Sequence, residues 1–183
     1  MVKYCPEEHG FEKKIPCGDD KERYVCRDCE WVHYENPKII VGAVCTWEEK
    51  ILMCRRAIEP RVGFWTVPAG FMEEGETTDE GAMREVFEES EGRAKPNALL
   101  AIYSIPRISQ VQMFYRAELE SPEIGNGIES LETRLFDWEE IPWNELAFPT
   151  VKWVLEHYRE SLGMTSFAPF TVPADKIDWV SGK

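Results

Sequence analysis

The chain has 183 residues, 43% of them hydrophobic, enough for one substantial core with a small appendage. Thirty-four acidic residues against 21 basic ones give a formal net charge of -13, which repels nucleic-acid backbones and anionic membrane surfaces and argues against both as partners. A small phosphorylated molecule held together with divalent cations is compatible with that charge. The first residues carry no apolar run of signal-peptide length, and no stretch approaches the roughly 20 apolar residues that span a bilayer, so a soluble, cytoplasmic protein is expected.

In chain order, residues 1–35 are polar, are broken by Gly10, Pro16 and Gly18, and hold four of the six cysteines: Cys5, Cys17, Cys26 and Cys29. Their apolar anchors are Tyr4, Phe11, Ile15, Tyr24, Val25 and Trp31, too few to offset ordering entropy without a metal or another staple. Cys26-x-x-Cys29 has the spacing of half a zinc ribbon, and Cys5 begins a candidate for the other half. His9, in Cys5-x3-His9, is the favoured fourth ligand, with Cys17 a poorer alternative. Zn²⁺ on Cys5, His9, Cys26 and Cys29 would be structural, since four protein ligands leave no open position.

Asn36-Pro37 ends this segment, and two runs rich in branched residues, Ile39 to Trp47 and Ile51 to Cys54, follow as a hairpin around Glu48-Glu49-Lys50. Cys45 and Cys54 lie in these runs and read as buried reduced thiols. After residues 63–70 the period becomes helical, with Thr77-x-x-Glu80 as a capping box and Ala82, Met83, Val86 and Phe87 as one apolar stripe. Strands are predicted at Leu99 to Ile105, Val111 to Ala117 and Thr133 to Trp138. A helix from about Thr150 to Arg159 should carry Val151, Val154, Leu155 and Tyr158 inward. Strands mixed with few helices indicate a layered α/β or α+β domain over 36–162, followed by an extended arm over 163–183.

On the first helix Glu85, Glu88 and Glu89 stand at i, i+3 and i+4, so their carboxylates can converge on a hard cation, and Arg84 can pair with Glu88. Upstream, Gly70 and Gly75 would allow the backbone to bring the loop of Glu73, Glu74 and Glu76 against the helix start. Gly70, Glu76 and Arg84-Glu85-Val86-Phe87-Glu88-Glu89 together resemble the Nudix box, Gly-x5-Glu-x7-Arg-Glu-apolar-x-Glu-Glu-x-Gly-apolar, through the paired glutamates. The box departs at its last glycine, where Glu91 stands and Gly92 follows one residue late. The resemblance implies an α/β/α sandwich with a mixed sheet and Mg²⁺ or Mn²⁺ on Glu85, Glu88, Glu89 and the Gly70 carbonyl. It also implies that Arg84 orients the array, that Glu76 supports the loop, and that Glu129 or Glu132 acts as general base.

Some Nudix enzymes that act on FAD or ADP-ribose carry a small Cys-x2-Cys…Cys-x2-Cys ribbon before the catalytic domain. This chain resembles them, except that Glu8 stands where the ribbon's second cysteine would be. His33-Tyr34-x-Asn36-Pro37-Lys38 and Gly63-x-Trp65-Thr66-x-Pro68-Ala69-Gly70-Phe71 extend the likeness. NADH pyrophosphatases, the competing subgroup, have a Ser-Gln-Pro-Trp-Pro-Phe-Pro array after the box, whereas here Ser109-Gln110 runs into Val111-Gln112-Met113. The implied activity is hydrolysis of the diphosphate linkage of FAD or ADP-ribose with release of AMP, by an enzyme that pairs as a homodimer. A non-catalytic nucleotide sensor is the alternative from another class, and RNA decapping fits the acidic balance least. Arg55, Phe64 and Tyr103 are taken as substrate-binding candidates; Tyr34 and Phe114 are further aromatics that could stack on adenine, although packing suits all four rings.

Overall fold

Residues 11–33 hold too few apolar side chains for a core, and the structure shows how little they bury. The computed structural model describes residue 5 and residues 9–182, and the chain divides into two units between Pro37 and Lys38. In the first, β1 (Phe11–Lys14), β2 (Arg23–Cys26) and β3 (Val32–His33) form an antiparallel sheet in that order. Among its described residues only Val25 and Cys26 are buried, while Phe11 meets the Trp31 ring edge-on at 6.1 Å. Tyr4, the remaining apolar anchor expected there, lies outside the described residues.

The second unit opens with the predicted hairpin, β4 (Lys38–Trp47) and β5 (Lys50–Arg56). Residues 41–46 of β4 are buried on both faces, which is why this run shows no alternation in the sequence. Trp65, Thr66 and Ala69–Phe71, which the sequence presents only as a Gly- and Pro-punctuated loop, form two short strands, β6 (Trp65–Thr66) and β7 (Ala69–Phe71). These pair antiparallel with β5 and β4, and that pairing carries Gly70 alongside Val41.

Helix α1 (Thr78–Ser90) starts at the expected capping box: the Thr77 hydroxyl accepts from the Glu80 N–H and the Glu80 carboxylate accepts from the Thr77 N–H at 2.8 Å. Ala82 and Val86 are buried, but Phe87 departs from the predicted stripe and is 46% exposed, with the Arg93 guanidinium 5.0 Å over its ring. It lies at the edge of the stripe, where α1 turns from the core to the cavity that Phe87 lines. The helix ends on Glu91 with φ 54°, its N–H donating to the Phe87 carbonyl at 2.7 Å. The departure from the box therefore leaves a left-handed cap in place and puts a side chain where glycine is free of strain.

Strands β8 (Ala94–Ile105), β9 (Gln110–Leu119) and β10 (Ser130–Phe136) complete a mixed sheet in the order β10-β5-β4-β9-β8, in which only the β4–β9 pair is parallel. Ala43, Cys45 and Leu52 pack with Val86 of α1 on one face. Val44 and Met53 pack on the other with Val151, Val154 and Leu155 of α2 (Pro149–Glu160). Tyr158 is half-buried against that second core, as its place in the stripe requires. The tail is extended only to Pro173; a 3-10 turn at Ala174–Lys176 and a short helix, α3 (Ile177–Ser181), follow. Cys45 and Cys54 are both buried free thiols.

Glu91→Gly should relieve the left-handed strain and raise the melting temperature by a few degrees, about 0.5–1 kcal/mol. Differential scanning fluorimetry reads this directly, and an unchanged or lower midpoint would show that the Glu91 side chain contributes more than its backbone costs.

Candidate active site and metal cluster

Arg84 is the organising cation of the α1 face. Its guanidinium donates to Glu76 (3.0 and 2.8 Å), to Glu85 (2.8 Å), to Glu88 (3.1 Å) and to the Phe71 carbonyl (3.0 Å). Glu76 also accepts from the Glu73 N–H at 2.7 Å. The Arg84 and Glu73 donors hold the Glu76 carboxyl at about 2, so it stays ionised as a fixed brace between loop and helix.

Glu85 and Glu89 are buried, at 9% and 6% exposure, whereas Glu88 is exposed. Burial pushes the Glu85 carboxyl upward against the pull of Arg84. Glu89 accepts from the Ala69 N–H at 3.3 Å and from the Cys54 thiol, yet burial followed by the nearby Glu85 charge pushes it up to about 8. Carboxylates placed so and left short of positive charge are what a hard divalent cation would satisfy. The three carboxylates line one wall without closing on each other: among the described residues, the only metal-type donors that gather within 4.8 Å of one another are a cysteine and histidine set.

Two glycines are needed for room. A Cβ on Gly70 would run into the Glu85 carboxylate, and one on Gly127 would run into the Glu88 carbonyl. Gly70 thus serves by close approach; the left-handed turn in this loop is at Gly75, φ 89°. Gly125 and Gly127 donate to the Ser90 and Glu89 carbonyls, at 2.7 and 3.1 Å, capping the end of α1 and carrying the following loop across it.

These elements bound a cavity of about 1350 Å³ whose walls include Gly70, Arg84, Glu85, Glu88, Glu89 and Glu129. Glu132 is not in that wall; it faces Arg55 at 3.8 Å from β10. The substrate-binding candidates are corrected as a group. Tyr103 is fully buried beneath α2, with its hydroxyl 2.6 Å from His157 Nδ1, so it is a core residue. Phe64 stacks with Arg61, and Arg55 donates to the Gly63 carbonyl at 2.9 Å; neither lines the cavity. Arg56 does, since successive strand residues face opposite sides of the sheet, and that pleat was the signal that could have found it.

In the first unit Cys5 Sγ and Cys26 Sγ lie 3.6 and 3.4 Å from His9 Nδ1, and Cys29 Sγ lies 3.6 Å from Cys5 Sγ. Four ligands about 2.0–2.3 Å from one tetrahedral centre would be roughly 3.5–3.8 Å apart, so this donor set fits a zinc ion. The Asp28 and Cys29 N–H groups, each 3.4 Å from Cys26 Sγ, help hold that thiol at about 6 although burial opposes them. Cys17 is exposed and outside the cluster.

The NUDIX domain family matches residues 36–159, and the Nudix N-terminal family matches residues 3–35. An ADP-ribose pyrophosphatase of Methanocaldococcus jannaschii is 30% identical over 81% of this chain and 85% of its own. The NAD-capped RNA hydrolase NudC of Photobacterium profundum is 30% identical over 62% of this chain, but this chain spans only 42% of that protein. Among solved structures, a NUDIX hydrolase from Nitrosomonas europaea is 45% identical and superposes with a TM-score of 0.85 over 93% of this chain and 99% of its own.

The raised Glu89 carboxyl makes a prediction for metal-free protein. A folded value of about 8 against about 4.5 unfolded means that its contribution to stability is present below pH 4.5 and is lost as pH rises towards 8. In chelator at pH 8, Glu89→Gln should therefore be more stable than the native chain, by on the order of 2 kcal/mol, with the difference vanishing near pH 5. Urea unfolding at the two pH values measures it; a less stable variant at pH 8 would refute the uncompensated burial.

Proposed function

This chain belongs to the Nudix hydrolase family, and from that premise we propose that it hydrolyses the diphosphate linkage of an ADP-ribose-type dinucleotide, releasing AMP, with magnesium as its working ion. The observation that carries the reading is the buried pair Glu85 and Glu89 in the cavity wall, with Glu88 exposed beside them and Arg84 fixing the array.

Magnesium, held by Glu85, Glu88, Glu89 and the Gly70 carbonyl, would offset the diphosphate charge and lower the pKa of an attacking water. Arg84 keeps the glutamates oriented, so little rearrangement is required when substrate enters. Glu129, on the loop capped onto α1, is the residue we assign as general base. Arg56 supplies a cation to the cavity near Glu89, where phosphate oxygens need one.

ADP-ribose is preferred over FAD because a relative 30% identical over 81% of this chain is an ADP-ribose pyrophosphatase. A net charge of -13 disfavours an RNA body, so capped RNA is not the substrate we assign. Zinc on Cys5, His9, Cys26 and Cys29 would staple a unit that buries almost nothing else. We read residues 1–35 as that ribbon, 36–162 as the catalytic domain and 163–183 as an arm completing it.

Purified protein with Mg²⁺ should release AMP from ADP-ribose, identified by mass spectrometry against FAD, NADH and NAD-capped RNA; inactivity on all four would sink the assignment. Glu88→Gln should lower kcat on the order of 100-fold with little change in ligand affinity, since the lost charge matters most in the transition state. For the cluster, elemental analysis should find about one zinc per chain, lost in Cys26→Ser. A Cys5–Cys26 disulfide without metal in reduced protein would contradict that assignment.

A further inference from the structure

Part of the cavity wall is assembled from segments far apart in the chain. The C-terminal arm reaches it by pairing with the outer edge of β8: the Phe170 N–H donates to the Leu100 carbonyl and the Ile102 N–H to the Phe170 carbonyl, both at 2.8 Å. Phe170 stacks flat on His157 at 4.5 Å. Farther on, Val180 of α3 is buried and Trp179 packs edge-on against Trp153 at 5.6 Å. The Arg107 guanidinium, from the 3-10 turn joining β8 and β9, lies 3.8 Å over the Trp179 ring, and both residues line the cavity. Among the described residues Arg107 has no carboxylate within ion-pair distance, so its charge faces the ring and the cavity alone.

Gln110 and Gln112 alternate along β9 and face the same cavity, joined by Gln112 Nε2 donating to Gln110 Oε1 at 3.1 Å. That bond uses the amide's donor side and leaves Gln112 Oε1 buried without any hydrogen-bond partner. An unmet buried acceptor is costly, and a donor from a ligand would remove the cost. An aromatic-cationic wall beside a lone amide acceptor suits a flat ring carrying an exocyclic amine.

We propose that Arg107, Trp179 and Gln112 form the base subsite of this enzyme, stacking an adenine ring against the Arg107–Trp179 pair while Gln112 Oε1 accepts from its 6-amino group. The inference rests on the reading of the cavity as a dinucleotide site and names the residues that hold the base. Hypoxanthine presents a carbonyl where adenine has the amine, so two acceptors would face each other, and the site discriminates against it.

Calorimetric titration of the full chain with AMP and with IMP, magnesium present, tests this without requiring hydrolysis. AMP should bind about tenfold tighter than IMP, and Gln112→Leu should bring the two together. Trp179→Ala should weaken AMP about tenfold while Trp179→Phe stays near the native value, since a base stacks on any ring. Should the alanine variant loosen the arm, Arg107→Met removes the cation without touching Val180 and should weaken AMP in the same direction. IMP binding as tightly as AMP, or AMP affinity unmoved by all the Trp179 and Arg107 variants, overturns the subsite. Neither nucleotide contains a diphosphate linkage, so failure here is distinct from inactivity on the dinucleotide panel.

Discussion

Glu89 sits in the protein at 6% exposure, met by the Ala69 N–H and the Cys54 thiol and by no cation within bonding distance. Most of the catalytic unit's local architecture can be traced to that placement and to Glu85 beside it. Arg84 answers Glu85 but is drawn away from Glu89 by Glu76, Glu88 and the Phe71 carbonyl. Gly70 lets the β7 backbone lie against Glu85, and Gly127 lets the following loop lie on the α1 carbonyls. The arrangement leaves buried carboxyl groups short of positive charge, which a hard cation would supply.

The arm and the β8–β9 turn contribute differently. They bring Trp179 and Arg107 to the cavity wall, which Gln112 of β9 also lines. The one cavity thus combines the α1 glutamates with the Trp179 ring and the Arg107 guanidinium. The arm also covers the exposed edge of β8, so the segment that finishes the cavity protects the sheet as well.

The glutamate face was legible in the sequence because three residues on one helix share a face by spacing alone, whatever packs around them. The Thr77 capping box was legible for the same reason. Phe87 leaves the stripe because its side of α1 lines the cavity, which spacing alone does not show. Arg55 and Arg56 were separable only by knowing which face of β5 meets the cavity, and Tyr103 only by knowing that α2 lies over it. The Arg107, Gln112 and Trp179 grouping had no local signal, because the return of the arm to β8 makes it. Strands β6 and β7 were hidden by glycine and proline, which mark turns more often than strands.

Burial and the Glu85 charge raise the Glu89 carboxyl to about 8, so a divalent cation bound there would displace its proton near neutral pH. Titrating Mg²⁺ into metal-free protein at pH 7 in buffers of different ionisation enthalpy counts the protons released per ion bound. The account predicts release approaching one proton, lost in Glu89→Gln. Binding with no proton release, or with the same release in the native chain and Glu89→Gln, would contradict it.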